Sequence, residues 1–234
     1  MTQILYKVTD QNHMTRNNTQ WGPDVSHGPT SGHGELCSSG WLHAYKTAKD
    51  AALMHKHHVF SFNSPVLWEA EGTVEKDDDL KIGTRTLKTI KIIPFPEITP
   101  DDIDVYLDND NWEVCYCAIK HPNATSQQID KALNDKDSEV RKVAIKHPNA
   151  SSQNIDKALN DRNWEVRYYA IQHPNATSKH IDKALNDKDW RVRRVAIQHP
   201  NATKQHIDKG LNDQEYCVRE VAIKRLNTLK DSKK

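Results

Sequence analysis

A unit of 26 residues occurs in five tandem copies between Phe95 and Lys224. The copies begin at Phe95, His121, His147, His173 and His199, and the third reads HPNASSQNIDKALNDRNWEVRYYAIQ. A period of this length, with helix-forming residues between turn signals, is the signature of a solenoid whose repeats bury their apolar faces on their neighbours. The repeat therefore favours a chain that binds a partner over a chain built around one catalytic pocket.

Each copy predicts two helices joined by a turn. In the second copy, the hydroxyl of Thr125 or Ser126 can accept a hydrogen bond from a free backbone N–H of a short first helix. The second helix begins from Asp137 and ends at His147, because Pro148 cannot continue the helical hydrogen bonds and disfavours helical geometry at the residue before it. The positions predicted to be buried follow helical spacing and are Ile129, Ala132, Leu133, Val140, Val143 and Ala144.

The repeats divide the chain into three parts. Residues 1–94 predict an α+β domain, residues 95–224 an all-α, right-handed superhelical solenoid of five helical hairpins, and residues 225–234 a basic tail. The first and last copies carry Tyr106 and Gly210 where the middle copies have alanine, as expected of capping repeats. In the first part, the predicted elements are strands at Ile4–Val8, Val59–Phe62, Leu67–Val74 and Thr86–Ile93 and a helix from Thr47 to Lys56.

The composition is that of a soluble, well-charged protein. The formal net charge is +1 and the hydrophobic fraction is 36%, so there is no basic bias that demands nucleic acid. No apolar run approaches the roughly 18 residues of a membrane span, and the first residues lack a signal-peptide core. The four cysteines are scattered without a C-x-x-C motif. We therefore expect a cytoplasmic protein with reduced thiols and no membrane partner.

One arginine recurs at the same position of four copies, and an aspartate stands six residues before each. The arginines are Arg141, Arg167, Arg193 and Arg219, and the aspartates are Asp135, Asp161, Asp187 and Asp213. The first copy has Asn109 and Cys115 at these two positions, so acid and base are lost together. A row of arginines can bind phosphates, but bidentate pairing with the aspartates near the seam between repeats explains the joint loss better. The pattern favours a structural ladder.

Two other rows make a candidate binding surface. The residue after each arginine varies in type, as an exposed position does, and this row supplies Lys142, Tyr168 and Arg194. An aromatic row starts the second helices and supplies Trp164 and Trp190. These tryptophans either pack between repeats or offer a surface to a partner, since tryptophan is enriched at interface hot spots. The histidines that begin the copies lie roughly 10 Å apart in stacked helices, which is too far for a shared metal ion.

The repeat resembles two known families. The phrase D-W-x-V-R-x-x-A-I-x-H-P-N-A-T of the second helix and the following turn resembles the variant leucine-rich repeat. The spacing of six residues from Asp to Arg resembles the ladder pair of HEAT repeats. This resemblance covers Phe95 to about Lys224 and implies an α-solenoid that serves as a scaffold or recognition surface. It implies no cofactor here, because the iron–sulfur cluster of the founding variant-repeat protein needs clustered cysteines.

The first part of the chain contains GELCSSGWLHAY at residues 34–45 and LWEA at residues 67–70. These motifs resemble an uncharacterised domain of phage and bacterial proteins, and the resemblance implies no activity. Trp41, His43, Tyr45 and Glu69 form the candidate pocket. Three hypotheses stay open for it: a zinc site, an ADP-ribosyltransferase-like domain that binds NAD, and a structural or partner-binding domain. The metal-ligand types nearby match no compact zinc spacing and are His33, Cys37, His43, His55, His57 and His58.

The sequence as a whole favours a non-enzymatic adaptor, in a phage-related setting, that binds a protein partner through its solenoid. We assign no catalytic residue, no metal and no cofactor. Nucleic-acid binding is the first alternative, because residues 121–234 contain 22 Lys and Arg against 15 Asp and Glu, whereas the first copy has seven acids and one lysine. An NAD-dependent ADP-ribosyltransferase-like first domain is the second alternative.

Overall fold

The structure is a computed structural model that describes residues 1–15, 18–36, 38–55, 62, 64–79 and 81–231 of the 234-residue chain. A strand-rich region is followed by an unbroken run of helices, which confirms the predicted order of an α+β region and an all-α solenoid. The chain forms two compact units, Met1–Asn123 and Ala124–Lys234. The first copy of the repeat thus belongs to the same unit as the strands, one copy beyond the boundary predicted at residue 94.

Two antiparallel sheets form the first unit. The described strands are β1 (Gln3–Thr9), β2 (Ser26–His27), β3 (Leu42–Ala44), β4 (Val66–Gly72), β5 (Lys76–Asp77), β6 (Ile82–Thr84) and β7 (Leu87–Ile93). One sheet has the order β1-β4-β7-β2 and the other β3-β6-β5. A bridge between Tyr6 and Tyr45 joins the two sheets. The predicted strands at β1, β4 and β7 are present, whereas the one predicted at Val59–Phe62 lies, apart from Phe62, outside the described residues.

Alternation along the strands places the core of the first unit between these sheets. Leu5 of β1 lies opposite Ala70 of β4, and both side chains are fully buried. The core cluster consists of Leu5, Trp21, Ala44, Ala70, Ile82 and Leu87. Trp68 is also fully buried, and its indole N–H donates to the Thr9 hydroxyl at 3.1 Å, so no polar group of that side chain is left unsatisfied.

The first copy of the repeat folds onto this region. Helix α1 (Ala48–Met54) precedes β4, and the copy itself contributes α2 (Pro100–Leu107) and α3 (Trp112–Ile119). The Tyr106 hydroxyl donates to Asp50 of α1 at 2.8 Å, and Lys49 pairs with Asp102 of α2 at 2.5 Å. Tyr106 replaces the alanine of the middle copies, so the residue that marks this copy as an end also attaches it to the strand-rich region.

The second unit consists of four helical hairpins. Its helices are α4 (Ser126–Ala132), α5 (Ser138–Lys146), α6 (Ser152–Ala158), α7 (Trp164–Gln172), α8 (Ser178–Ala184), α9 (Trp190–Gln198), α10 (Lys204–Gly210) and α11 (Tyr216–Asp231). Thr125 caps α4 and Asp137 caps α5, and His147 takes an extended conformation before Pro148. Helix α11 continues through residues predicted as a tail, because Arg225, Leu226 and Asn227 replace the helix-ending His-Pro-Asn.

The His-Pro-Asn turn links each copy to the one before it. The buried His173 ring accepts the N–H of Asn175 at Nδ1 and donates from Nε2 to the His147 carbonyl at 3.2 Å. The Asn175 side-chain amide donates to the Ala150 carbonyl at 3.0 Å. The same contacts recur one copy later at His199 and Asn201. These histidines therefore satisfy backbone groups at helix ends, where unpaired carbonyls and amides would otherwise cost stability.

Three bidentate ion pairs form a ladder through the second unit. Each guanidinium donates two hydrogen bonds of 2.7 to 3.0 Å to the aspartate twenty residues later, in the next copy. The rungs are Arg141–Asp161, Arg167–Asp187 and Arg193–Asp213. Each arginine also donates to two backbone carbonyls of the turn inside its own copy, as Arg167 does to Asp161 and Arg162. In the part of the chain that the structure describes, Arg219 bonds only to such carbonyls, those of Asp213 and Gln214.

Among the described residues, no helix combines the length and the apolar character that a membrane span requires.

The middle rung predicts a large stability loss on mutation. Arg167 and Asp187 are only 5% and 8% exposed, so Arg167→Ala leaves a buried carboxylate without its cation. We expect the free energy of unfolding, measured by urea titration of the full chain, to fall by about 3 to 5 kcal/mol. Arg219→Ala is the matched control, because it removes carbonyl hydrogen bonds but no bidentate pair. Equal losses for the two variants would contradict the ladder's role.

The last rung predicts sensitivity to acid. Hydrogen bonding to Arg193 lowers the pKa of Asp213 below its ordinary value. A carboxyl with a lowered folded pKa adds stability above the unfolded pKa of about 3.9, and this stability is lost as the pH falls through the folded pKa. We expect urea midpoints to drop less between pH 6 and pH 2 in Asp213→Asn than in the native chain. Asp208→Asn, a change at a less buried carboxylate, should retain the native acid dependence.

Candidate functional site

A groove lies between the neighbouring helices α7 and α9, the second helices of copies three and four. Its volume is about 390 Å³. The lining residues are Trp164, Glu165, Tyr168, Tyr169, Trp190, Arg191, Arg194, Val195 and Gln198. A volume in this range suits a small ligand or a few residues of a partner chain.

Repeat geometry explains why aromatic side chains meet here. Helix α7 begins with Trp164 and continues one turn later with Tyr168, whose rings make an edge-to-face contact at 6.1 Å. Tyr168 also contacts Tyr169 edge-to-face at 5.4 Å. Helix α9 adds Trp190 at the position equivalent to Trp164. Aromatic side chains in such contacts have few rotatable bonds, so the wall of the groove formed by α7 is already ordered before any partner binds.

Two arginines form the opposite wall. The Arg191 guanidinium lies over the Trp164 ring at 4.3 Å from its centroid and 5.5 Å from that of Trp190. It also pairs with Asp189 at 3.2 Å. Arg194 is exposed, and within the described part of the chain it makes no hydrogen bond. The groove therefore holds one guanidinium stacked on aromatic rings and a second with all of its donors available.

The acid in the groove pairs with a lysine of the preceding copy. Glu165 accepts a hydrogen bond from Lys142 at 3.0 Å, and Lys142 also pairs with Glu139 of its own helix at 2.5 Å. Lys142 is therefore only 14% exposed in its side chain, unlike the open position expected for this row. Lys142 contacts Glu165, which lines the groove, but it is not itself a lining residue. The other four residues of the candidate surface do line the groove; they are Trp164, Tyr168, Trp190 and Arg194.

Sequence reasoning missed several members of the groove. Glu165, Tyr169, Arg191, Val195 and Gln198 line it but were not assigned to the binding surface. A signal existed for Tyr169, because the copies beside it have valine at that position in Val143 and Val195. Arg191 likewise replaces a glutamate found in the two preceding copies. Positions at which one copy differs from its neighbours therefore indicate this groove more clearly than positions that carry the same type of residue in every copy.

The candidate pocket of the first unit has a different character. The His43 ring hydrogen-bonds the Leu36 carbonyl, and burial lowers its pKa. The Trp41 indole donates to the Gly34 carbonyl at 3.2 Å. Tyr45 is buried, and burial raises the pKa of its phenol. These three side chains thus satisfy or cover nearby backbone, and the aromatic cluster behaves as part of a packed loop and sheet.

Glu69 belongs to the four-stranded sheet of the first unit. It stands on β4 opposite Tyr6 and Lys91, and pairs with the Lys91 ammonium at 3.5 Å. His43 lies on β3, a strand of the other sheet, and the acid whose charge acts on its pKa is Asp78. The described residues bring no three metal-ligand side chains together, and Cys37, His57 and His58 fall outside them.

A buried lysine is the feature that sequence reasoning overlooked in this region. Lys7 projects from β1 toward the cluster and donates to the His43 carbonyl at 2.6 Å. Its ammonium lies 5.2 Å from the centroid of the Trp21 ring. Burial lowers its pKa to about 8. Nothing in the sequence of the predicted strand Ile4–Val8 indicates that the ammonium would be buried.

Comparisons with known proteins give distant structural similarity. No protein-family profile and no curated protein matches the chain. YibA of Escherichia coli is 17% identical over 52% of this chain and 56% of YibA, with a TM-score of 0.40. A leucine-rich repeat variant is 14% identical over 55% of this chain and 71% of its own chain, with a TM-score of 0.29. A designed armadillo repeat protein in complex with the peptide (KR)4 is 19% identical over 54% of this chain and 80% of its own chain, with a TM-score of 0.32.

Lys7 predicts an unusual response to alkaline pH. Its folded pKa of about 8 lies below the 10.5 of a free lysine, so the unfolded chain binds more protons between these values and stability rises with pH. We expect the calorimetric unfolding temperature to rise from pH 7 to pH 9.5 relative to Lys7→Met, which lacks this titration. Lys91→Met, at an exposed lysine of β7, should keep the rise. The same pH profile in Lys7→Met and the native chain would contradict the burial of this charge.

Proposed function

We propose that this chain is a non-enzymatic adaptor that binds a protein partner in the groove between α7 and α9. The observation that carries the proposal is the convergence of Trp164, Tyr168, Trp190 and Arg194 on one groove. Tryptophan, tyrosine and arginine are the residue types most enriched at binding hot spots.

The ladder beneath the groove supports this function. Arg167 of α7 pairs with Asp187, which lies just before α9, so the backbones of α7 and α9 are held at a fixed spacing. A partner therefore meets walls that need little ordering, and less of its binding energy is lost to conformational entropy. The other copies lack an equivalent pair of tryptophans, since Ser138 and Tyr216 stand at the flanking positions. Binding is thus concentrated at copies three and four.

The charges give less support to nucleic-acid binding. Three of the four arginines that could form a phosphate row, Arg141, Arg167 and Arg193, are buried in the ladder. One lysine in the first helix of each of copies three to five bonds to the preceding copy; these lysines are Lys157, Lys183 and Lys209. A polyanion needs a series of available cations along its track. These six cations, which belong to the local excess of positive charge counted in the sequence, thus already have partners within the chain.

The test uses peptides because the partner is unidentified. A phage-displayed library of random peptides is panned on the immobilised full chain, and selected peptides are synthesised and measured by fluorescence polarisation. We expect Trp190→Ala to weaken their binding by at least about tenfold, as the loss of a hot-spot side chain does. A thermal melt of each variant verifies that it folds.

Tyr216→Ala is the matched control. Tyr216 stands at the position of Trp190 in the next copy and is 67% exposed, but it does not line the groove. Its removal should change peptide binding less than twofold. Peptides that bind equally well to Trp190→Ala, or a library from which none is enriched, would contradict the proposed function.

A further inference from the structure

The two walls of the groove differ in charge. The α7 wall carries Glu165, which pairs at 3.0 Å with Lys142, a lysine that it shares with Glu139. The α9 wall carries Arg191 and Arg194, three residues apart and therefore on one face of the helix. Asp189 balances Arg191 in part, at 3.2 Å. Within the described residues, Arg194 has no ion-pair partner, so it leaves a positive charge on the α9 side of the groove.

Arg194 is the main source of this charge. The pKa of Glu220 is lowered by a hydrogen bond from Lys224 at 2.7 Å and, to a smaller extent, by the charge of Arg194. This carboxylate therefore already has a cation as its partner. Within the described residues, the Arg194 guanidinium donates no hydrogen bond, and it is exposed to the groove. A planar guanidinium in this state is suited to a carboxylate, which it binds through two parallel hydrogen bonds.

The dimensions of the groove set the length of its occupant. Helices α7 and α9 have nine residues each, which corresponds to roughly 13.5 Å at 1.5 Å per residue. An extended chain advances about 3.3 Å per residue, so about four residues fit along the groove. Tyr168, Trp190 and Val195 provide apolar contacts for side chains of this segment. Trp164 is less available because the Arg191 guanidinium covers its ring.

We propose that the groove binds a short, extended, acidic segment of a partner protein. A carboxylate of the segment is received by Arg194 with Arg191 beside it, and an apolar neighbour packs on Tyr168 and Trp190. This inference rests on the proposed function and adds the chemistry of the partner. Charge complementarity carries it, since the groove offers one guanidinium with free donors and a second held in place by Trp164.

A nucleic acid fits this groove less well than an acidic peptide does. Stacking on tyrosine and tryptophan suits a base, but each base is followed by a phosphate that needs a cation. Glu165 lies in the wall, and only one of the two arginines has its donors free. Two guanidiniums match one or two carboxylates in a segment of four residues better than a phosphate at every nucleotide.

The experiment reads the composition of selected peptides. The random library is panned in parallel on the native full chain, on Arg194→Glu and on Lys179→Glu, which makes the same charge change at an exposed residue outside the groove. We expect Asp and Glu to be enriched in the native and Lys179→Glu pools, and Lys and Arg in the Arg194→Glu pool. In the best native peptide, Asp→Asn or Glu→Gln should weaken binding at least about tenfold.

The possible outcomes distinguish a failure of this inference from a failure of the proposed function on which it rests. Peptides that need Trp190 but show no acidic bias would overturn the inference and leave the proposed function standing, whereas no enrichment would overturn both. Short single-stranded or duplex oligonucleotides that displace the peptides, with binding lost in Arg194→Glu, would assign the groove to nucleic acid instead. Self-association of the native chain that Arg194→Glu abolishes would assign it to a second copy of this chain.

Discussion

The bidentate pair between an arginine and the aspartate of the next copy is the contact on which the second unit depends. One guanidinium fixes two things at once, because its remaining donors hold the turn between the helices of its own copy. The aspartate in turn accepts the backbone N–H that begins the following helix, as Asp187 does from Asp189. A single rung thus sets the spacing of neighbouring helices and the start of the second helix, at the cost of burying two charges that must stay paired.

Above this framework, the positions that vary between copies carry the recognition chemistry. Tyr168 and Arg194 follow the ladder arginines directly, yet they point into the groove while their neighbours are buried. Lys142 occupies the same row but is engaged with two glutamates. The groove is therefore a local departure from the repeat, produced by a few substitutions in copies three and four and supported by contacts that are the same elsewhere.

The sequence was informative wherever the repeat supplied several examples of one environment. Helix caps such as Thr125 and Asp137 and the end at His147 follow from local chemistry and were predictable. The spacing alone did not say which copy Arg167 would reach, since that depends on the rise between stacked hairpins. The first unit offered no such repetition. Glu69 and His43 could not be placed, because strand pairing between distant segments puts them in different sheets.

The contacts between copies also have a consequence for how this chain can change over evolutionary time. Copy three, for example, carries residues for the contacts on both of its sides. Its arginine pairs with the copy after it, and its aspartate and its turn asparagine bond to the copy before it. Duplication or loss of one 26-residue unit would leave all such contacts complete. The length of the array and the wall of its groove are thus free to diverge separately, and new specificities can arise by copying a unit and altering its few variable side chains.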